Sequence, residues 1–227
     1  MWGAILNAAA ILAGGAIGLL FKGRVSDKIS QAIIRGIGLC VCIIGISGAL
    51  EGDIMVSVLS LTLGILAGEL LCIDERLNSF GAWLQAKLGR GGDNAFAEGF
   101  VTATLLFCVG AMAIVGSLES GLRGDYSLVS TKSLLDGISS VALASTFGAG
   151  VLFSAAAVLL YQGGIELFAG GLQGVFTDGL ITQLTAVGGI MIFGIGVNMA
   201  VGVKIKVANM LPGFLVCGVV WGVMGNL

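Results

Sequence analysis

Long apolar stretches punctuated by short polar ones run the whole length of the chain, at roughly 2–21, 31–50, 54–73, 100–118, 134–147, 149–168, 184–203 and 207–226. Most match the ~20 residues that a helix needs to span the hydrocarbon core. The fifth, 134–147, is short for a crossing and fits a half-helix or a re-entrant segment shielded by protein. Trp2, Trp83 and Trp221 sit near the ends of runs, where interfacial anchors belong. Between the third and fourth runs, Leu77, Phe80, Leu84 and Leu88 recur at helical spacing beside Trp83, with Gln85 and Lys87 on the other side. This pattern predicts an amphipathic helix lying on the membrane. The Gly- and Asp-containing stretch 89–95 reads as a linker.

The order of the runs carries an internal repeat. GAILNAAAILAGGAIGLLF, starting at Gly3, aligns with GVLFSAAAVLLYQGGIELF, starting at Gly150, placing Asn7 opposite Ser154. Ile29-Ser-Gln31 then falls opposite Ile181-Thr-Gln183, Ile54-Met-Val56 opposite Ile205-Lys-Val207, and the Gly64/Gly68 pair opposite Gly218/Gly222. The resulting division is 1–73 as repeat 1, 74–99 as interfacial helix and linker, 100–148 as a central segment, and 149–227 as repeat 2. With 134–147 as a crossing, Lys22, Arg24, Lys28, Arg35, Arg76, Lys87, Arg90, Lys204 and Lys206 share one side, and only Arg123 and Lys132 lie opposite. Reading 134–168 as one helix gives seven crossings and moves Lys204 and Lys206 to the smaller group. The positive-inside rule prefers eight, with basic loops cytoplasmic, the N-terminus outside and the repeats inverted. The expected fold is therefore an all-α polytopic membrane protein of seven or eight segments, two three-helix repeats around a central pair.

Composition agrees with this class and removes others. The chain is 57% hydrophobic and 11% charged, with a mean hydropathy of +1.06, whereas soluble domains carry roughly 25% charged residues. A net charge of -2 without a basic tail argues against nucleic acid as a partner. The five cysteines (Cys40, Cys42, Cys72, Cys108 and Cys217) fall in apolar runs and read as small buried hydrophobes. There is no histidine, and no nucleophile–base pair, phosphate loop or zinc spacing is visible, so neither an enzyme nor a cofactor is expected. The first run has no basic residue before it and Lys22 and Arg24 after it, the opposite of a cleaved signal, so it is read as a retained helix.

Asp136 is the leading candidate for chemistry. A carboxylate within a membrane segment is costly and points to an ion or substrate path, or a metal. Ser139 and Ser140, three and four residues on, lie near the same helical face. The alternative is a capping box, Ser133-x-x-Asp136, with Lys132 neutralising the acid. Gln162, Gly163, Gly164 and Glu166 either unwind a helix to free carbonyls for a cation or mark its end. Asn7 and Ser154 are either symmetry-related site residues or interhelical glue. The paired glycines Gly14/Gly18, Gly64/Gly68 and Gly218/Gly222 suit close helix packing and can also support a homodimer.

Phe107-Cys-Val-Gly-Ala-Met-Ala-Ile-Val-Gly-Ser117, Gly121-Leu-Arg-Gly-Asp125, Lys132-Ser-Leu-Leu-Asp136-Gly, Gly150-Val-Leu-Phe-Ser154-Ala and Tyr161-Gln162-Gly resemble the YqgA/YdfK family of bacterial and archaeal membrane proteins. So do Gly194-Ile-Gly196-Val-Asn198 and Lys206-Val-Ala-Asn209-Met-Leu-Pro212. The resemblance covers essentially the whole chain and implies an integral inner-membrane protein, with no substrate attached. Leu135 to Ala144 is also similar to the acid-bearing helix of small manganese exporters of the lysine-exporter superfamily, whose three-helix units are duplicated and inverted. That likeness implies Asp136 as the membrane acid. The chain departs from those exporters in lacking a second acid at the equivalent position of the other repeat. The expectation is a secondary transporter or exporter of a small ion or solute, with a channel or a non-transporting scaffold or sensor as alternatives.

Overall fold

A computed structural model describes residues 1–22, 27–77, 79, 95–108, 111–172 and 174–224. Among these, all regular structure is helical: α1 (Trp2–Phe21), α2 (Asp27–Ala49), α3 (Ile54–Leu70), α4 (Ala95–Cys108), α5 (Ala111–Arg123), α6 (Ser127–Phe147), α7 (Gly150–Leu167), α8 (Ala169–Leu172), α9 (Asp178–Val201), a 3-10 turn (Val207–Met210) and α10 (Gly213–Met224). The amphipathic helix and linker expected over 77–95 lie almost wholly outside the described residues.

By length and composition, α1, α7 and α9 qualify as membrane spans. The count rises to five if Ile34–Ala49 with Ile54–Leu70 (bent 116°) and Phe96–Cys108 with Met112–Arg123 (bent 60°) are each one broken span. The exterior agrees with this class. Leu39, Ile43, Leu66, Leu70, Leu134, Ile138, Leu160 and Leu215 are all more than half exposed, an apolar surface that water would not tolerate on this scale. The protein is an α-helical membrane protein.

The chain forms two compact units, Met1–Ser26 with Asn78–Phe176, and Asp27–Leu77 with Thr177–Leu227. In the first, α1 packs on α6 and α7. A Cβ on Gly14 would strike the Gly137 carbonyl oxygen, and one on Gly18 the Val141 carbonyl oxygen, so α1 and α6 lie in close parallel contact. Gly15 faces Leu152 while Asn7 faces Gln162, so α1 and α7 are antiparallel. α4 and α5 run with α7, Gly99 against Val151 and Gly121 against Glu166. The core holds Ile11, Val129, Phe147, Val151 and Val158.

In the second unit α2 pairs with α9 and α3 with α10. The first pair is antiparallel and seamed by glycine. A Cβ on Gly45 would lie 2.7 Å from the Gly189 carbonyl oxygen, and one on Gly189 2.7 Å from that of Gly45. Gly38 and Gly196 face each other in the same reciprocal way. Gly64 meets Gly213 and Gly68 meets Asn209, so α3 and α10 are antiparallel too. Asp53 caps α3 by accepting from the Met55 and Val56 amides, and its own amide donates to Gln183 Oε1. Gly202, with φ +82°, closes α9. Asn198 then accepts from the Ile205 amide and donates to its carbonyl, fixing the following loop.

Several expectations are corrected. The short segment 134–147 is the last two thirds of a continuous 21-residue helix, Ser127–Phe147, about 32 Å long at 1.5 Å per residue. The single helix over 134–168 is excluded: Gly148, with φ +83°, ends α6, and α7 runs in the opposite direction. The run 100–118 falls on α4 and α5, with residues 109 and 110 between them outside the described residues. Only Cys217 is buried; Cys40 and Cys72 are exposed, and Cys42 and Cys108 half-buried. Where lipid is the solvent, a small apolar side chain gains little by facing inward.

Candidate functional site

The inner face of α6 is set by four-residue spacing: Lys132, Asp136 and Ser140 are buried, while Leu134, Leu135 and Ile138 point outward and are exposed. The buried face thus carries polar groups at its centre, flanked by buried Val129, Leu143 and Phe147. The start of α6 is set by Asp125. Asp125 Oδ1 accepts from the Ser127 amide and hydroxyl at 2.9 and 2.6 Å, and these bonds hold its exposed carboxyl below the usual range. Ser133 lies inside the helix with its hydroxyl donating to the Val129 carbonyl. The capping box Ser133-x-x-Asp136 therefore does not form, and Asp136 sits near the middle of α6.

The small residues of α1 bring a second polar side chain to it. With Gly14 and Gly18 seated on the α6 backbone, Asn7 faces Asp136, and α7 packs from the other side with Gln162. Asp136 Oδ2 accepts from Lys132 Nζ at 2.5 Å and from Asn7 Nδ2 at 2.9 Å. Asn7 Nδ2 also donates to Gln162 Oε1 at 3.0 Å. All four residues are at most 6% exposed. An ionised carboxylate accepts only, so it fixes which end of the Asn7 amide faces it. Asn7 in turn fixes the Gln162 amide. Two atoms are left over: Asn7 Oδ1 and Gln162 Nε2 are buried with no partner among the described residues.

The other candidates take different places. Ser140 joins α6 to α1, donating to the Ile11 carbonyl at 3.1 Å and the Gly137 carbonyl at 2.8 Å. Ser154 is buried but donates to its own helix, at the Val151 carbonyl. Ser139 is exposed on the outer face of α6 and does not join the cluster. Glu166 lies one turn beyond Gln162 on the buried face of α7. Its Oε1 accepts from the Ala4 amide at 2.8 Å, and its Oε2 pairs with the Met1 amino group. Glu166 thus caps α1 from a neighbouring helix. α7 continues unbroken through Gly163 and Gly164 and ends at Leu167, so of the two readings the helix end holds and the unwinding does not, while Glu166 is buried rather than at an interface. Among the described residues no three His, Cys, Asp or Glu side chains gather to hold a metal.

Two features escaped the sequence reading. Lys132 was expected only to neutralise Asp136; the burial of the pair, which makes Lys132 a full member of the network, was not foreseen. Asn7 meets Gln162 rather than Ser154, because antiparallel helices bring aligned positions to opposite ends of their contact.

Comparison with known proteins gives the family but no chemistry. The chain is 34% identical over 225 residues to the uncharacterized membrane protein YdfK of Bacillus subtilis (strain 168), covering 97% of this chain and 95% of that protein. It is 28% identical over 219 residues to the uncharacterized protein YqgA of Escherichia coli (strain K12), covering 94% and 93%. No solved structure matches. The family described as "Protein of unknown function (DUF554)" matches residues 2–221, and the chain belongs to it.

Proposed function

We propose that the protein is a secondary transporter or exporter of a small ion or solute in the bacterial or archaeal inner membrane, with Asp136 at its binding site. One observation carries this reading: a buried carboxylate, ammonium and two carboxamides meet where three otherwise apolar helices converge. Ionisable groups inside a membrane protein are expensive and mark transport paths or proton relays by default. Asn7, Gln162 and Ser140 line the same junction; Ser154 and Glu166 flank it along α7.

The repeat supports the reading. Its equivalent helices α1 and α7, α2 and α9, and α3 and α10 pack on each other, antiparallel in every case. Duplicated units related by an axis in the membrane plane have this relation. With α6 as a further crossing, the chain spans eight times, its polar inner face accounting for its modest hydropathy. Basic loops then lie in the cytoplasm and the N-terminus outside. A scaffold or sensor that dimerises is the second reading, favoured by the open space beside Gly218 on α10. Gly14, Gly18, Gly64 and Gly68 are already used within the units.

The test is a thermal-shift panel of cations, amino acids and small carboxylates on purified protein. Ligand at a hundredfold excess over Kd stabilises by about 2.7 kcal/mol. The expected result is a shift from one solute class that disappears in Asp136→Asn combined with Lys132→Met, which keeps the site free of an unpaired charge. A panel with no shift in the native protein moves the weight to the scaffold.

A further inference from the structure

We infer that the Asp136 junction is reached by a hydrated passage between α1, α5 and α7, opening at the membrane face where α1 begins and sealed toward the other face. This rests on the transport reading for its purpose and adds the side from which this conformation admits a solute. α1 and α6 start at that face and α5 and α7 end there, since Gly3 meets Ser120 and Val129, and Ala4 meets Glu166. Asn7 lies five residues into α1 from Trp2, about 8 Å along the axis at 1.5 Å per residue. Fourteen more residues, about 21 Å, separate it from Phe21. The junction is close to one face and far from the other.

The short side is polar and incompletely bonded. Asn7 Oδ1, Gln162 Nε2 and Ser120 Oγ are buried with no partner among the described residues. The hydroxyls of Ser117, Ser133 and Ser154 each donate to a carbonyl of their own helix, whereas that of Ser120 does not. Ser120 Oγ lies 2.9 Å, and Glu166 Oε1 2.6 Å, from the point that a Cβ on Gly3 would occupy, so α5 and α7 both aim polar atoms at the first turn of α1. Glu166 bonds there to the Ala4 amide and the Met1 amino group, and Met1 is half exposed. One turn back along α7, Gln162 reaches Asn7. Ser120, Glu166, Gln162 and Asn7 thus form a polar file from the exposed end of α1 to Asp136. Buried donors and acceptors left over by the protein are met by water, and polar side chains at membrane depth face the bundle interior or a water-filled cavity.

The long side is dry. Ile11, Leu143, Ala144, Phe147, Val151 and Val158 are buried there, and Gly14 and Gly18 seat α1 directly on the α6 backbone. Its polar residues, Ser140 and Ser154, are bonded to backbone carbonyls. Thr104 Oγ1 is also unpartnered, but it belongs to α4, outside the seam of α1, α6 and α7. Water enters a polar file by exchanging hydrogen bonds, and enters the dry side only by parting close-packed apolar side chains. A site open to one face and shut to the other is one state of an alternating-access cycle.

The test is thiol labelling of the full chain in intact cells and in inverted membrane vesicles, with the membrane-impermeant reagent methanethiosulfonate ethyltrimethylammonium. Ser120→Cys, Gln162→Cys and Ser154→Cys are made singly, and peptide mass spectrometry reads each site, so the five native cysteines stay in place. Tyr126→Cys, in the exposed turn between α5 and α6, marks the face where α1 begins. The thiolate is the reacting species, and each unit by which burial raises a thiol pKa cuts the rate about tenfold. Ser120→Cys and Gln162→Cys are expected to react only from the face of Tyr126→Cys, and about tenfold or more faster than Ser154→Cys does from either face. Should Gln162→Cys not fold, Ser133→Cys, one turn beyond Val129 on the buried face of α6, takes its place with the same expectation. Reaction from the opposite face, equal rates at Ser120→Cys and Ser154→Cys, or protection of Ser120→Cys or Gln162→Cys from both faces each overturns the passage. The transport reading is decided separately by the thermal panel, which uses purified protein in detergent with both faces open to solvent.

Discussion

Replacing Asp136 by Asn changes one atom and removes the charge that Lys132 is buried against. The Lys132 side chain is 7% exposed, so water does not rescue it in place. Removing one member of a buried pair costs about 3–5 kcal/mol, because the survivor remains desolvated and uncompensated. The Asn7 bond falls from charge-assisted to neutral as well, a difference of about 1 kcal/mol contained within that range. Two rival accounts predict less. A helix cap costs about 0.5–2 kcal/mol, and interhelical hydrogen bonds in membranes average about 0.6 kcal/mol. Removing both charges, with Asp136→Asn and Lys132→Met together, leaves only a neutral amide network and is expected to cost about 1–2 kcal/mol. The double variant is then more stable than the single one, a sign reversal that no additive account gives. Equilibrium unfolding in mixed sodium dodecyl sulfate and dodecyl maltoside micelles reads all three differences. A cost for Asp136→Asn near 1 kcal/mol, with no recovery in the double variant, refutes a desolvated pair.

Two further outcomes follow from the packing. Gly14→Val drives side-chain atoms into the Gly137 carbonyl and Ser140 hydroxyl, and overpacking against backbone costs about 1–3 kcal/mol or more; Gly164→Ala, where the same space is open, is neutral or stabilising, and thermal unfolding in detergent compares them. Asp53→Ala removes the α3 cap but keeps the backbone amide that Gln183 holds, so micelle unfolding reads a loss of about 1 kcal/mol, while Gln183→Ala adds to it rather than substituting for it.

The membrane class was legible in the spacing of apolar runs, since hydropathy records what lipid contacts. It records little of what helices do inside. The stretch Gly124 to Ser133 is polar enough to look like a connector, so the first third of α6 was read as a loop and Asp136 as the mouth of a helix. Lys132 and Ser133 there are turned inward while Ser127, Ser130 and Thr131 are exposed, and hydropathy averages over both. Asp136, Asn7, Gln162 and Ser140 were found from their chemistry, as polar groups in apolar runs. Their partners were not, because partnership depends on which way neighbouring helices run. Four-residue spacing pointed at Lys132, but a cation close to an acid on one helix is read as neutralising it until both are seen to be buried.

That directional argument also bears on why one acid stands at the junction. Under the proposed duplication, Asn7 corresponds to Ser154 and Gln162 to Gly15. The antiparallel contact of α1 with α7 therefore has two equivalent ends. One holds Asn7 against Gln162, bonded at 3.0 Å. The other holds Ser154, whose hydroxyl turns back to Val151, and Gly15, where a Cβ would crowd Leu152 at 2.7 Å. Under that alignment one end is polar and the other is packed with small and apolar groups. α6, which supplies Asp136 and Lys132 to the polar end, lies outside the duplicated units and has no counterpart among the repeat pairs. A single carboxylate balanced by a single ammonium is what such a half-retained symmetry leaves.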